Sequence, residues 1–175
     1  LSFSAKEPIE YVLCPHLLKE FRNRWFLYGS TANNLTLFNL PLDRIVKVEP
    51  SDKPYRDNPY FDPERFHEDV IGVSKNIGDK PKRVVFWADS NQVGYICTKP
   101  LHSSQRIEDE NPEEGGCVFS INVVVNFELY SVLMSYGPGI KVISPQKVVR
   151  HMRNLMSKAH WLYNKEEKIQ SKKNK

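Results

Sequence analysis

Cationic and aromatic side chains are concentrated in residues 22–28, RNRWFLY, and shortly after them. Three guanidinium groups and three aromatic rings make up this set: Arg22, Arg24, Arg44, Trp25, Phe26 and Tyr28. Planar guanidinium groups suit phosphate or carboxylate, and nucleobases stack on aromatic rings with about 1–3 kcal/mol per base. The set therefore predicts a site for a nucleotide, a single-stranded nucleic acid or a small anion. It fits equally well a packed hairpin whose arginines surround an aromatic core.

Catalytic motifs are missing from the sequence. It contains no glycine-rich phosphate loop, no GxSxG elbow and no HExxH pair. Cys14 and His16 would share one face of a strand, but no orienting group or oxyanion donor accompanies them. His102 begins a polar cluster that is typical of a turn or an interface rather than of a catalytic unit, and His151 and His160 are too far apart to bind one metal from adjacent helical turns. We expect no enzyme activity, no cofactor and no metal.

Composition indicates a globular protein of a reducing compartment. The three cysteines, Cys14, Cys97 and Cys117, are widely spaced and odd in number, which favours small buried residues in a cytoplasmic protein. No apolar run approaches the ~20 residues that cross a bilayer, and residues 1–7 do not resemble a signal peptide. Because the chain begins at Leu1 rather than Met, we expect a fragment or a processed product.

Charge is unevenly distributed along the chain, whose formal net charge is +4. Residues 145–175 contain nine Lys/Arg and two acids, whereas residues 105–115 contain five acids and one arginine. A basic end is typical either of nucleic-acid binding or of a solvated terminus.

Short strands are predicted to position residues 22–28. Alternating apolar residues indicate strands at residues 9–13, 22–29, 35–40 and 45–49, with a turn at Asn33-Asn34. Pro15 is expected to end the first strand, and residues 16–21 to form a connector. Trp25 and Leu27 should lie on one face of the second strand, with Phe26 and Tyr28 on the other. Four short strands predict a small, strongly bent sheet or barrel.

Residues 51–81 are rich in proline and acids and are predicted to be a linker with one short helix. Asp62 suits the N-cap and Pro63 the first helical position. Phe61, Phe66 and Val70 could dock this helix.

Residues 82–175 predict an α/β unit. Helices should begin at Asp89 or Ser90, at Asn126 and at Ser144, and Gly137 should end the second helix. Strands are expected at residues 83–88, 118–125 and 140–143, and the charged stretch 106–114 precedes a turn at Gly115-Gly116. The order is the split β-α-β arrangement called ferredoxin-like, so the predicted fold class is α+β.

Three short motifs of the first half resemble the WYL domain. They are Pro15-His16-Leu17-Leu18, Trp25-Phe26-Leu27 behind Arg24, and Leu42-Asp43-Arg44-Ile45, although Phe26 stands where the family has tyrosine. The resemblance implies an Sm-like, SH3-type β-barrel that senses a nucleotide, an oligonucleotide or another anionic ligand. It also implies an N-terminal helix-turn-helix that binds DNA in a bacterial transcriptional regulator. The ligand would contact His16, Arg22, Arg24, Trp25 and Arg44.

Motifs of the second half resemble the WCX extension that accompanies WYL domains. They are Pro100-Leu101-His102-Ser103-Ser104-Gln105, Asn126-Phe127-Glu128-Leu129, Ser135-Tyr136-Gly137 and Val142-Ile143-Ser144-Pro145. This resemblance implies a homodimer and signal relay. The lack of a long apolar run separately predicts that no membrane partner is involved. The expected domains are a barrel at 1–50, a linker at 51–81, a ferredoxin-like domain at 82–164 and a basic tail at 165–175. The alternative function is direct nucleic-acid binding through the barrel arginines and the tail.

Overall fold

The chain divides into two compact units, Leu1–Lys80 and Pro81–Lys175. The structure is a computed structural model that describes residues 7–31, 33, 35–110 and 112–173, with side chains as far as residue 165. In the described residues each unit contains one antiparallel sheet, and the three α-helices found there belong to the second unit. The fold class is α+β.

The first unit contains a three-stranded antiparallel sheet in the order β1-β2-β3. Its strands are β1 (Leu13–Phe21), β2 (Arg24–Thr31) and β3 (Leu37–Pro41), and β3 is followed by a 3-10 turn at Leu42–Arg44. Arg22 and Asn23 have φ values of 52° and 61° and form the two-residue turn between β1 and β2. Positive φ at both positions is typical of a type I′ hairpin, which matches the twist of the strands. Arg22 therefore lies in a turn rather than in a strand.

The first strand differs from its prediction at both ends. Pro15 lies inside β1 instead of ending it, so the predicted connector at residues 16–21 is strand. Proline is tolerated there because β1 is an edge strand and its pairing with β2 shifts between Pro15 and Leu17. The turn at Asn33-Asn34 falls partly outside the described residues.

The strand predicted at residues 45–49 is wrong. Val46 and Val48 are exposed, and this segment pairs with no strand of the described chain. Alternation alone does not make a strand, because a strand needs a neighbour to accept its backbone hydrogen bonds.

The described residues of the first unit do not form the predicted barrel. Closing a sheet requires its first and last strands to pair, but β1 and β3 each pair only with β2. The first unit is therefore built on an open sheet that needs another cover for its apolar face.

Residues 51–80 supply that cover and are not a linker. Phe61, Phe66 and Val73 are buried in one cluster with Tyr28. Four half-buried side chains of the sheet pack against this cluster: Leu17, Phe21, Phe26 and Leu37. The proline-rich segment thus crosses one face of the sheet and completes a small core.

The helix predicted within this segment is only a turn. Asp62 Oδ1 accepts hydrogen bonds from the backbone N–H groups of Glu64 (3.0 Å) and Arg65 (3.3 Å), as an N-cap does. The chain from residue 63 to 69 then continues as turns rather than as an α-helix. Phe61, Phe66 and Val70 are buried, as predicted.

His67 lies beside the core without a hydrogen-bond partner for its Nε2 atom among the described residues. Its ring centroid is 4.9 Å from that of Tyr28 and 5.1 Å from that of Phe66. Burial lowers the pKa of His67 from 6.5 to about 4, and Lys19 and Lys75 act in the same direction while Asp69 opposes them. The folded chain therefore holds a neutral imidazole here.

This histidine should make the first unit less stable in acid. The unfolded chain takes up the proton below its ordinary pKa of 6.5, whereas the folded chain resists it down to about pH 4. The contribution of neutral His67 to the free energy of unfolding is fully present above pH 6.5 and is lost as the pH falls towards 4. Because His67 is partly screened by solvent, this loss is about 1–2 kcal/mol. Urea unfolding at pH 7 and pH 4.5 measures the loss. His67→Gln should reduce the difference between the two pH values, and an unchanged difference would contradict the assignment.

The second unit has the strand order β5-β6-β4-β7, with every neighbouring pair antiparallel. Its elements follow in chain order: β4 (Lys82–Ala88), α1 (Ser90–Thr98), β5 (Arg106–Asp109), β6 (Cys117–Val123), α2 (Phe127–Ser135), β7 (Ile140–Ser144) and α3 (Gln146–Lys173). This is the element order of the predicted ferredoxin-like arrangement.

Local signals set the helix boundaries of this unit. Asp89 accepts hydrogen bonds from the N–H groups at the start of α1, and Asn126 accepts one from Leu129 N (2.8 Å) at the start of α2. Gly137, with φ 55°, follows the end of α2. The predicted cap at Ser144 is wrong, because Ser144 ends β7 and the Pro145 carbonyl accepts from the first amides of α3.

The hydrophobic core of the second unit lies along β4 and β6, on the face that the alternation predicts. Phe86 and Phe119 are fully buried with ring centroids 5.6 Å apart, and Ile121 and Val123 continue the row. None of the described helices is both long and apolar enough to cross a membrane. Cys14 and Cys117 are buried as predicted, whereas Cys97 is exposed.

Candidate functional site

The seven residues predicted to contact a ligand do not converge on one place. His16, Phe26 and Tyr28 lie on the face of the sheet that residues 51–80 cover. Trp25 lies on the opposite face, and three arginines lie at the end of the sheet near the hairpin turn and the 3-10 turn. Strand geometry causes this division, because neighbouring side chains point to opposite faces.

Tyr28 is a core residue, and its side chain is not exposed to a ligand in this structure. Its side chain is fully buried and its hydroxyl donates a hydrogen bond to the Val73 carbonyl. Asn39 Nδ2 also donates to that carbonyl (2.7 Å) and to the Tyr28 hydroxyl (3.2 Å). The phenol is therefore satisfied within the protein. Phe26 lies two positions earlier on the same face and is half-buried against the same core.

The outer face of the sheet carries Trp25. Its side chain is 51% exposed, and it lies beside exposed Leu18 and half-buried Leu27. Trp25 is therefore not a core residue. The alternation of the β2 side chains between the two faces was predicted correctly. The structure adds that residues 51–80 cover the face that carries Phe26 and Tyr28.

His16 belongs to a polar group that the sequence did not reveal. Its Nε2 is 2.7 Å from the hydroxyl of Ser30, which is fully buried, and its Nδ1 is 3.1 Å from the hydroxyl of Tyr55. Burial lowers the pKa of His16, and Asp57 nearby opposes this effect. Because both ring nitrogens have hydrogen-bonding neighbours, His16 connects the sheet to its cover. The contact between His16 and Tyr55 could not be predicted, because the two residues are 39 positions apart and no sequence pattern links them.

Cys14 is not placed as a nucleophile beside His16. Its sulfur is buried and accepts a hydrogen bond from the Arg56 N–H group (3.3 Å). A reactive cysteine needs an accessible thiolate, which this position does not offer.

Accessible positive charge is found at the end of the sheet, in a group that we call the arginine edge: Arg24, Asp43 and Arg44. Arg24 Nη2 is 3.2 Å from Asp43 Oδ2, and the two side chains are 46% and 50% exposed. Arg44 is half-buried in the same 3-10 turn. An ion pair this exposed contributes about 0–1 kcal/mol, so an incoming phosphate or carboxylate could replace Asp43 at little cost. Arg22 is exposed on the adjacent turn.

The polar cluster at His102 is a structural turn, as predicted. Ser104 Oγ lies 2.8 Å from His102 Nδ1 and accepts a hydrogen bond from Asn122 N (2.8 Å). Gln105 accepts from Leu101 N (2.9 Å) and donates to the Ile96 carbonyl (3.0 Å). These bonds hold the connection between α1 and β5 against β6. Across the described chain, no three His, Cys, Asp or Glu side chains are grouped as metal ligands would be.

Comparison with known proteins places the clearest similarity in the second unit. Residues 80–159 match the family model of the WCX domain. Among solved structures, the chain is similar to proteasome accessory factor B/C (PafBC) of Arthrobacter aurescens, with 14% sequence identity and a TM-score of 0.39. That alignment covers 86% of this chain but only 22% of the PafBC chain. A search of curated proteins finds no match.

Proposed function

We propose that this chain, whose residues 80–159 match the family model of the WCX domain, is the regulatory module of a bacterial transcription regulator. The WCX match is the observation that carries the proposal. The first unit contributes the motifs that resemble a WYL domain, although its described strands form an open sheet. In this proposal the chain is not an enzyme. It binds an effector, and this binding controls a DNA-binding helix-turn-helix domain.

The effector that fits the first unit is anionic, and its site is the arginine edge. Arg24 pairs with Asp43, Arg44 follows Asp43 in the same 3-10 turn, and Arg22 adds an exposed charge on the hairpin turn before Arg24. Guanidinium groups bind phosphate and carboxylate with paired, charge-assisted hydrogen bonds. A nucleotide, a short oligonucleotide or a small anion would satisfy this chemistry.

Regulation requires that the effector bind the active and inactive states of the regulator with different affinities. The Arg24–Asp43 pair supplies a physical basis for such a difference. An effector anion that takes Arg24 displaces the carboxylate of Asp43, which lies in the 3-10 turn at Leu42–Arg44. The turn directly follows β3, so its position reports whether the site is occupied.

Replacing the arginines should weaken effector binding. Hydrogen bonds to charged groups contribute about 1.5–3 kcal/mol, so Arg24→Ala or Arg44→Ala should raise the Kd for a nucleoside triphosphate or a short oligothymidine roughly 10- to 150-fold. Isothermal titration calorimetry of the parent and the two variants measures the change.

Arg65→Ala is the matched control for this experiment. Arg65 lies in the same unit, is well exposed and also pairs with an acid, Glu68, at 3.6 Å. Its removal should leave the Kd unchanged. If the parent binds neither probe, or if all three variants bind equally, the arginine edge is not the effector site.

A further inference from the structure

One side of α3 carries a continuous row of polar and cationic residues that no function above uses. The row, here called the α3 ridge, consists of Lys147, Arg150, Asn154, Lys158, Trp161 and Lys165. Successive members are three or four residues apart, so they lie along one face of the helix. All six are exposed, and the ridge extends for about 27 Å at the rise of an α-helix.

Acids follow this region in the sequence, at Glu166 and Glu167, but none lies within it. Residues 146–165 contain five Lys/Arg and no Asp or Glu. Among the described residues, the ion pairs found in the structure all lie outside α3. A cationic stripe along one helix face is the usual electrostatic footprint of nucleic-acid binding.

Trp161 distinguishes the ridge from an ordinary solvated face. Its indole is 58% exposed, and the Lys165 ammonium group lies 5.0 Å from the ring centroid. The core side of α3 is elsewhere on the helix, where Val148 and Met152 are buried. Packing therefore does not explain a large aromatic side chain at this position, whereas stacking against a ligand would.

We propose that the α3 ridge binds single-stranded nucleic acid. Its cations would contact successive phosphates, and Trp161 would stack on an unpaired base. A duplex offers no free base face for the indole. A membrane surface fits less well, because a lipid-binding helix needs a long free apolar face. Val148 and Met152 are buried in the protein, and the exposed apolar side chains Leu162 and Tyr163 lie only near the end of the described part of α3. This site is separate from the proposed effector site in the first unit.

Fluorescence anisotropy with a labelled 12-nucleotide oligothymidine tests the ridge. The experiment uses the whole chain in an Arg24→Ala, Arg44→Ala background, so that the effector site does not contribute. Trp161→Ala should raise the Kd roughly 5- to 150-fold. Lys158→Gln should reduce the slope of log K against log salt by about 0.7.

Two matched variants from the same helix serve as controls. Tyr163 is 76% exposed and Arg153 is exposed, but both lie off the ridge, so Tyr163→Ala and Arg153→Gln should leave affinity and salt slope unchanged. Equal losses in ridge and control variants would overturn the proposal. The proposal would also be overturned if the chain did not bind oligothymidine. Binding to phosphatidylserine vesicles in that case would indicate a membrane surface instead. If calorimetry detects no effector binding at the arginine edge but the α3 ridge still binds oligothymidine, the result contradicts the effector site and leaves the ridge proposal intact.

Discussion

Replacing Tyr28 by alanine should lower the free energy of unfolding of the first unit by about 3–5 kcal/mol, the usual cost of removing a large buried ring. Tyr28 is fully buried at the centre of the cluster with Phe61, Phe66 and Val73. Small domains are stable by only about 5–15 kcal/mol, so this change should leave the unit close to unfolding. Urea denaturation followed by far-ultraviolet circular dichroism measures the loss.

Two companion variants show whether the assignment of sheet faces is correct. Trp25→Ala removes a larger side chain at a half-exposed position, and we expect it to cost less than about 1 kcal/mol. Tyr28→Phe removes only the hydroxyl that donates to the Val73 carbonyl, at a cost of about 1 kcal/mol. If Trp25→Ala were as damaging as Tyr28→Ala, residues 51–80 would not cover the face described here.

Gly116→Ala should destabilise the second unit by roughly 2–5 kcal/mol. Gly116 has φ +79°, and an added Cβ would lie 2.1 Å from the Ala88 carbonyl oxygen. The left-handed backbone contributes about 1–2 kcal/mol, and the clash adds a cost like that of overpacking, about 1–3 kcal/mol. The backbone oxygen belongs to β4, in the middle of the sheet, so it cannot move aside without disturbing the pairing with β6 or β7.

Gly115→Ala isolates the contribution of the clash. Gly115 has a similar φ of +71°, but no atom lies within 4 Å of the place its Cβ would take. Only the backbone strain should remain, about 1–2 kcal/mol. Thermal unfolding of the two variants should therefore give clearly different midpoints. Equal midpoints would mean that the approach of Gly116 to β4 does not constrain the fold.

The second unit was predictable because its signals are local. Asp89, Asn126 and Gly137 mark helix boundaries within a few residues of where they act. The alternation from Phe119 to Val123 identifies a buried strand without reference to any partner. The strand order then follows from the succession of elements. The error at Ser144 arose because the proline after it takes over the start of α3.

The first unit was less predictable because its structure depends on contacts between distant residues. Alternation shows that Trp25 and Tyr28 lie on opposite faces but not which face is covered. Phe61 and Phe66 settle that question from more than thirty positions away. The partners of His16 could not be inferred for the same reason, since Tyr55 is 39 residues away. The accessible arginines, in contrast, were recognised from residue type alone.

The cover formed by residues 51–80 has a consequence for synthesis of the protein. Once residue 50 has left the exit tunnel of the ribosome, the hairpin of β1 and β2 can form from nearby residues, but Tyr28 and Phe26 still lack the cover that Phe61, Phe66 and Val73 provide. Their apolar face remains available to chaperones, or to other nascent chains, until Val73 has left the exit tunnel. A recombinant fragment ending at Pro50 would keep that face exposed permanently. Expression of the first unit alone therefore needs a boundary near Lys80.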